Sequence, residues 1–119
     1  DAGNERRREI VRSYSAAFQG SRIEVPLIRE NIEHAFHLYV AQVDDRDGFR
    51  DQLGRVGVQT AIHYPIPIHH QPAYLARVKL ATSMSVTDRV AGRIVSLPMF
   101  PELSNTSVDF VARAAAESC

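Results

Sequence analysis

Three of the chain's five histidines and three of its six prolines fall in one stretch, Thr60-Ala-Ile-His-Tyr-Pro-Ile-Pro-Ile-His-His-Gln-Pro-Ala-Tyr74. Imidazole, phenol and carboxamide groups donate and accept hydrogen bonds, and imidazole also binds protons near neutrality and ligates metals. The chemistry open to His63, Tyr64, His69, His70 and Gln71 is therefore polar ligand recognition, proton transfer or metal binding. Proline fixes φ and removes a backbone donor, and it drives the preceding residue toward extended geometry. The stretch is expected to be a stiff, extended loop that displays these groups at low entropic cost.

Metal binding is the weakest of the three. His34 and His37 stand three apart, and a strand sends residues three apart to opposite faces. Neither CxxC nor HExxH occurs in the sequence, and zinc wants four ligands, or three and a water. No metal ligand is expected. Nucleophilic catalysis fares no better, because the one cysteine, Cys119, is the last residue and has no fixed geometry there. GxSxG, Walker A and GxGxxG signatures are absent too. Lys79 is the only lysine. It lies in Arg77-Val-Lys-Leu-Ala-Thr-Ser83, which reads as a surface connection, whereas a reactive amine needs desolvation or a neighbouring charge. No catalytic residue is expected in this chain. His63 and Tyr64 close a strand ahead of the loop, with side chains expected on opposite faces.

The elements that must hold this loop can be read from periodicity. Ile10, Val11, Tyr14, Ala17 and Phe18 recur at helical spacing, with Asp1 or Asn4 as cap and Gly20 as stop. Arg6, Arg7, Arg8 and Arg12 then surround a solvated face. Ala35 to Val43 reads as a strand with two apolar faces, expected to be covered on both. His37 there is expected to be a core histidine with a satisfied hydrogen bond. Asp44 and Asp45 cap a helix on Phe49, Leu53 and Val56, ended by Gly57. Val58 to Tyr64 is expected as a second strand, completing a β-α-β unit.

Gln71 to Val78 suggests a short helix. Ser85-Val-Thr-Asp88 resembles a capping box, opening a helix with Val90, Ile94 and Val95 on one face. Ser96 to Phe100 reads as a short strand. Ser104 caps a last helix with Val108, Val111, Ala112 and Ala115 at core spacing. The expected fold class is α/β (α+β): a small mixed or antiparallel sheet covered mainly on one side by helices. The 119 residues are expected to form one domain, 1–119, large enough to bury roughly 65% of the unfolded chain's surface.

Formal net charge is zero, which speaks against nucleic acid as a partner, since phosphate binding needs excess positive charge. A single cysteine precludes an intrachain disulfide. No apolar run approaches the roughly 20 residues that span a bilayer, and no signal peptide opens the chain. A cytoplasmic setting without membrane contact is expected. The chain starts at Asp1 without a methionine, so a piece of something longer is also expected.

Several motifs arrive in a recognisable order: Asn4-Glu-Arg-Arg-Arg8 with Tyr14, then His37-Leu-Tyr-Val40, Arg46-Asp47 and Gly57-Val-Gln-Thr60. His63-Tyr-Pro-Ile-Pro-Ile-His69, Gln71-Pro-Ala-Tyr74 and Ser96-Leu-Pro-Met99 with Pro101 follow. Across nearly its whole length the chain resembles the C-terminal small domain of the DegT/DnrJ/EryC1/StrS aminotransferases, pyridoxal-phosphate enzymes that aminate nucleotide-linked keto sugars. The resemblance implies a fold-type-I small domain, with residues 1–20 as an interdomain helix. It implies that the parent enzyme is a homodimeric transaminase whose large domain holds the cofactor and its Schiff-base lysine. Lys79 does not match that lysine's motif.

This chain alone is then expected to be inactive and to bind no cofactor. His63, Tyr64, His69 and Gln71 would line the nucleotide-sugar cleft as substrate positioners. The alternative is a freestanding, non-catalytic binding or oligomerisation module derived from that domain. Residues 76–87 depart from the family's glycine-and-aromatic pattern, and Gly48 and Gly54 each cost the second helix about 1 kcal/mol relative to alanine.

Overall fold

The computed structural model describes residues 1–75 and 77–119. In chain order the elements are α1 (Ala2–Ala17), β1 (Tyr39–Gln42), α2 (Arg46–Arg55), a 3-10 turn (Ile68–His70), α3 (Ser85–Ala91), β2 (Ile94–Leu97) and α4 (Asn105–Glu117). The fold class follows expectation: a small antiparallel sheet with helices over one face.

Helix α1 starts where a side chain can satisfy its first donors, with the Asp1 carboxylate accepting from Gly3 N and Asn4 N. Its stripe Ile10, Val11 and Tyr14, with Phe18 just beyond, is buried. Ala17, expected in that stripe, is exposed. The arginine face is neutralised locally rather than left open. Arg8 and Arg12 bond Glu5, while Arg6 bonds Glu9 and reaches the Leu103 carbonyl (2.8 Å) and Asn105 Oδ1 (2.7 Å), tying α1 to α4. Helix α4 is capped by Ser104, which accepts from Ser107 N, and buries the four expected residues.

Strands β1 and β2 pair antiparallel, Tyr39 opposite Leu97 and Gln42 opposite Ile94. Tyr39, Ala41, Val43, Val95 and Leu97 form the face beneath the helices, each at most 3% exposed. The opposite face, with Leu38 and Val40, is only half-buried. The expectation of cover on both sides fails here: the helices occupy one side and leave the other open. His37 is exposed rather than part of the core, because the regular strand begins only at Tyr39.

Residues 58–64 do not form a second strand. Only Ala61 pairs, with Ser96 and antiparallel (Ser96 N to Ala61 O 2.7 Å). That bridge places this segment beyond β2, running in the same direction as β1 with β2 between them. The β-α-β connection is thus split by a strand from later in the chain. The Val58 N–H donates back to the Leu53 carbonyl at the end of α2 (2.9 Å) instead of to a strand, and the Thr60 hydroxyl accepts from Arg50 Nε (3.1 Å).

The helix opened near Ser85 is shorter than its spacing suggests. Ile94 and Val95 lie in β2, where β-branched side chains pack well against Gln42 and Ala41. Gly92 ends α3, and Arg93, between helix and strand, is held by Glu24 (2.8 Å) and Asp44 (3.0 Å). The capping box is not used. Met84 is the residue before α3, in a left-handed conformation with φ 51°, and no side chain caps the helix. In the expected helix at residues 71–78 the described residues form turns, among them Leu75 N to Gln71 O (3.0 Å); Ala76, which also opens the atypical stretch 76–87, lies outside the described residues.

Candidate functional site

The loop from Thr60 to Gln71 leaves the sheet edge at Ala61, beside the outer face. There His63 meets β2, its Nδ1 standing 2.8 Å from Ser96 Oγ. Ser96 is 4% exposed, the one buried polar residue among the described residues. Its partner Val40 lies directly across the strand pair. His63 therefore roofs the outer face of the sheet and supplies the hydrogen bond that a buried hydroxyl requires.

Tyr64 follows through a cis peptide and is 74% exposed. The two rings meet edge to face, with centroids 5.6 Å apart. The expectation that they leave on opposite faces does not hold, since neither residue sits in a strand and the alternation of a strand does not govern them. Beside His63 a hollow of about 220 Å³ is lined by Leu38, Thr60, Ala61, His63, Ser96 and Met99, among others. A second, of about 290 Å³, shares Leu38 and is bounded by Pro26, Leu27, Phe36, His37 and Val40. The two hollows make the outer face a shallow apolar trough, with His63 and Thr60 at one side and His34 and His37 at the other.

Farther along, Pro67 at φ −56° and ψ 151° keeps the chain extended until the turn at Ile68–His70. That turn aims two imidazoles at α3. His69 Nε2 lies 2.7 Å and His70 Nε2 2.9 Å from the same Asp88 oxygen. A carboxylate only accepts, so both rings carry a proton on Nε2 in this arrangement. The His69 ring is nearly buried at 8% side-chain exposure, whereas His70 is half-exposed at 53%. These bonds, His69's first, hold the Asp88 carboxyl below the usual range. Gln71 Nε2 turns back toward the Ile66 carbonyl at 3.4 Å, a long contact that leaves the carboxamide available.

The four residues expected to form one site thus divide between two stations. His63 lines the trough, with the exposed Tyr64 against its ring; His69, with its neighbour His70, grips α3; Gln71 belongs to the loop itself. Sequence reasoning missed the partners. In the sequence Ser96 marks the start of a strand and of the Ser96-Leu-Pro-Met99 motif, and Asp88 a helix-capping position; for neither does local pattern signal a histidine more than fifteen residues away. For Arg50, which fixes Thr60 from α2, the signal was equally faint.

Lys79 is exposed, on the segment between the 3-10 turn and α3. An amine in water is not the desolvated or charge-flanked group that cofactor chemistry requires. Pyridoxal phosphate is not accommodated at that lysine, and no step of its chemistry is assigned to this chain's residues.

Comparison with known proteins supplies the wider frame. The model of the DegT/DnrJ/EryC1/StrS aminotransferase family matches residues 1–115. The dTDP-3-amino-3,6-dideoxy-alpha-D-galactopyranose transaminase of Aneurinibacillus thermoaerophilus is 35% identical over 114 residues, covering 96% of this chain and 31% of that protein. The UDP-2-acetamido-2-deoxy-3-oxo-D-glucuronate aminotransferase of Pseudomonas aeruginosa is 32% identical, over 91% of this chain and 29% of its own length. Among solved structures, DesV of S. venezuelae, in complex with a ketimine intermediate, superposes with a TM-score of 0.93 at 29% identity, covering 98% of this chain and 32% of that one. A DegT DnrJ EryC1 StrS aminotransferase from Brucella abortus gives 0.88 at 31% identity, over 95% and 30%. The chain thus spans about a third of the length of these relatives. With fold, motif order and family model in agreement, the chain belongs to the DegT/DnrJ/EryC1/StrS aminotransferase family.

Proposed function

We propose that this chain is the C-terminal small domain of a pyridoxal-phosphate-dependent transaminase that aminates a nucleotide-linked keto sugar in the cytoplasm. In this reading residues 1–119 act as one domain, with 1–20 leading in from a large domain that holds the cofactor. The observation that carries the proposal is the open outer face of the sheet, an apolar trough with His63 at its rim and the exposed Tyr64 packed against that imidazole. A sugar ring offers hydroxyl groups for hydrogen bonding and C–H faces for packing, and the trough offers a counterpart to each.

His63, Tyr64 and Gln71 are assigned as substrate positioners, by hydrogen bonds rather than proton transfer. His69, whose Nε2 is engaged by Asp88, supports the same cleft by fixing the loop. When bound, the cofactor supplies the electron sink for transamination; this chain's part is to orient the sugar and exclude water from one side.

Exposed apolar side chains support a docking partner. Leu27 is 91% and Ile68 67% exposed, and Ile28, Ile32, Ile66 and Leu75 are each about half-exposed. Such surface in a small chain marks an interface. The large domain, together with a second subunit of the parent homodimer, is the occupant assigned to it.

Chain alone, mixed with pyridoxal phosphate, an amino donor and a keto-sugar nucleotide, should give no turnover. Borohydride reduction should leave Lys79 without a stoichiometric pyridoxyl group. Turnover by the isolated chain, or full labelling of Lys79, would overturn its assignment as a non-catalytic part of the enzyme.

A further inference from the structure

We propose that His69, His70 and Asp88 form a binding site for one divalent transition-metal ion of the zinc class. Three ligand-bearing atoms, two imidazole nitrogens and a carboxylate oxygen, lie within 4.8 Å of one another. They come from two elements, the 3-10 turn and α3, so convergence is a property of the fold rather than of adjacent sequence alone. Two imidazoles and a carboxylate match the donor set that borderline cations prefer, and they leave a fourth position for water. A hard cation such as magnesium would favour an all-oxygen shell instead.

Metal–nitrogen bonds of about 2.0–2.1 Å in a tetrahedral shell put ligand atoms roughly 3.3 Å apart. The nitrogens now sit 2.7 and 2.9 Å from the Asp88 oxygen, so these two edges must open by about half an ångström, while the nitrogen–nitrogen edge stays within the 4.8 Å that bounds the cluster. His70 and Asp88 are exposed enough to move, while His69 is held by its surroundings. Coordination through Nε2 needs each neutral ring to carry its proton on Nδ1, a tautomer exchange through solvent without net proton release. The ion would then replace two hydrogen bonds with three coordinate bonds and pin the loop to α3. The site shares His69 and Asp88 with the loop support proposed for the trough, but its test involves no turnover.

The experiment is a zinc titration of the chelator-stripped 119-residue chain, in a Cys119→Ser background so that the thiol does not compete. A chromophoric chelator serves as competitor. The expected result is one zinc per chain, an increase in thermal stability on loading, and tetrahedral visible bands when cobalt(II) replaces zinc. Magnesium should not compete. Losing a ligand should weaken binding at least as much as losing a ligand's supporting partner, about tenfold or more, in both His70→Ala and Asp88→Asn. The exposed His37, changed to alanine, should leave affinity unchanged. If Asp88→Asn fails to fold, His70→Ala decides, since that side chain is half in solvent. Absence of one-to-one binding, full affinity in His70→Ala, or loss of affinity in His37→Ala would each overturn the site.

Discussion

His63 and Ser96 meet over the outer face of the sheet, imidazole Nδ1 to hydroxyl Oγ at 2.8 Å, thirty-three residues apart in the chain. This contact secures the start of the proline loop to β2, next to the Ala61–Ser96 bridge. Ser96→Ala removes the side-chain bond and leaves the backbone bridge intact. Stability should fall by about 1 kcal/mol, the usual worth of one hydrogen bond. Urea unfolding would measure it, and no change in midpoint would mean that the contact does not hold the loop.

Tyr14 links α1 to the segment after β2, its hydroxyl donating to the Pro98 carbonyl at 2.9 Å. Tyr14→Phe keeps the ring contacts with Tyr39 and Phe18 and should cost about 1 kcal/mol. Burial pushes the Tyr14 phenol well above its ordinary value, and the Tyr39 phenol is raised by the same cause. A raised native pKa gives stability that is complete below the unfolded value, near 10, and is lost as the pH climbs from there toward the native value. Tyrosinate absorbance from these two rings should therefore develop together with unfolding. Ionisation of both while far-UV dichroism stays native would contradict their burial.

Gly48 and Gly54 lie in the same helix and should respond oppositely. A side chain at Gly48 would strike the Asp45 carboxylate that caps α2, whereas nothing lies within 4 Å of one at Gly54. Gly54→Ala should raise stability by up to about 1 kcal/mol through helix propensity. In Gly48→Ala the same gain is offset by the cap, worth about 1 kcal/mol. Thermal melts of the two variants check the difference, and equal shifts would refute the cap's role.

Asp88 should shape the acid limb of stability. Its folded pKa is lowered, by His69 first. A depressed carboxylate contributes stability that is present above its unfolded pKa of about 3.9 and is lost as the pH falls through the lower folded value. Asp88→Asn should flatten the pH dependence of the melting temperature in that acid window. An unchanged acid limb would mean that the histidine contacts do not persist in solution.

Helices announced themselves. Ile10, Val11 and Tyr14 in α1, and Val108, Val111, Ala112 and Ala115 in α4, recur at core spacing and are buried. Caps at Asp1, Asp45 and Ser104 are local chemistry, and each was visible as a residue type in the right place. Strand order was not legible. Nothing within residues 58–64 reveals that β2, formed some thirty residues later, inserts between them and β1. Val90, Ile94 and Val95 satisfied a helical period, yet pairing with β1 drew the last two into a strand. The loop was found by its histidines and prolines, but Ser96 and Asp88, which hold it, are brought there only by tertiary structure.

The account's central claim is that His63 and Tyr64 position a keto-sugar substrate. Its most direct test joins this chain to a cofactor domain of the family and measures steady-state amination with His63→Ala and Tyr64→Ala. The account predicts KM for the sugar nucleotide raised by about threefold to tenfold in each, the range of one neutral hydrogen bond, with kcat moved less. An unchanged KM in both variants would contradict it.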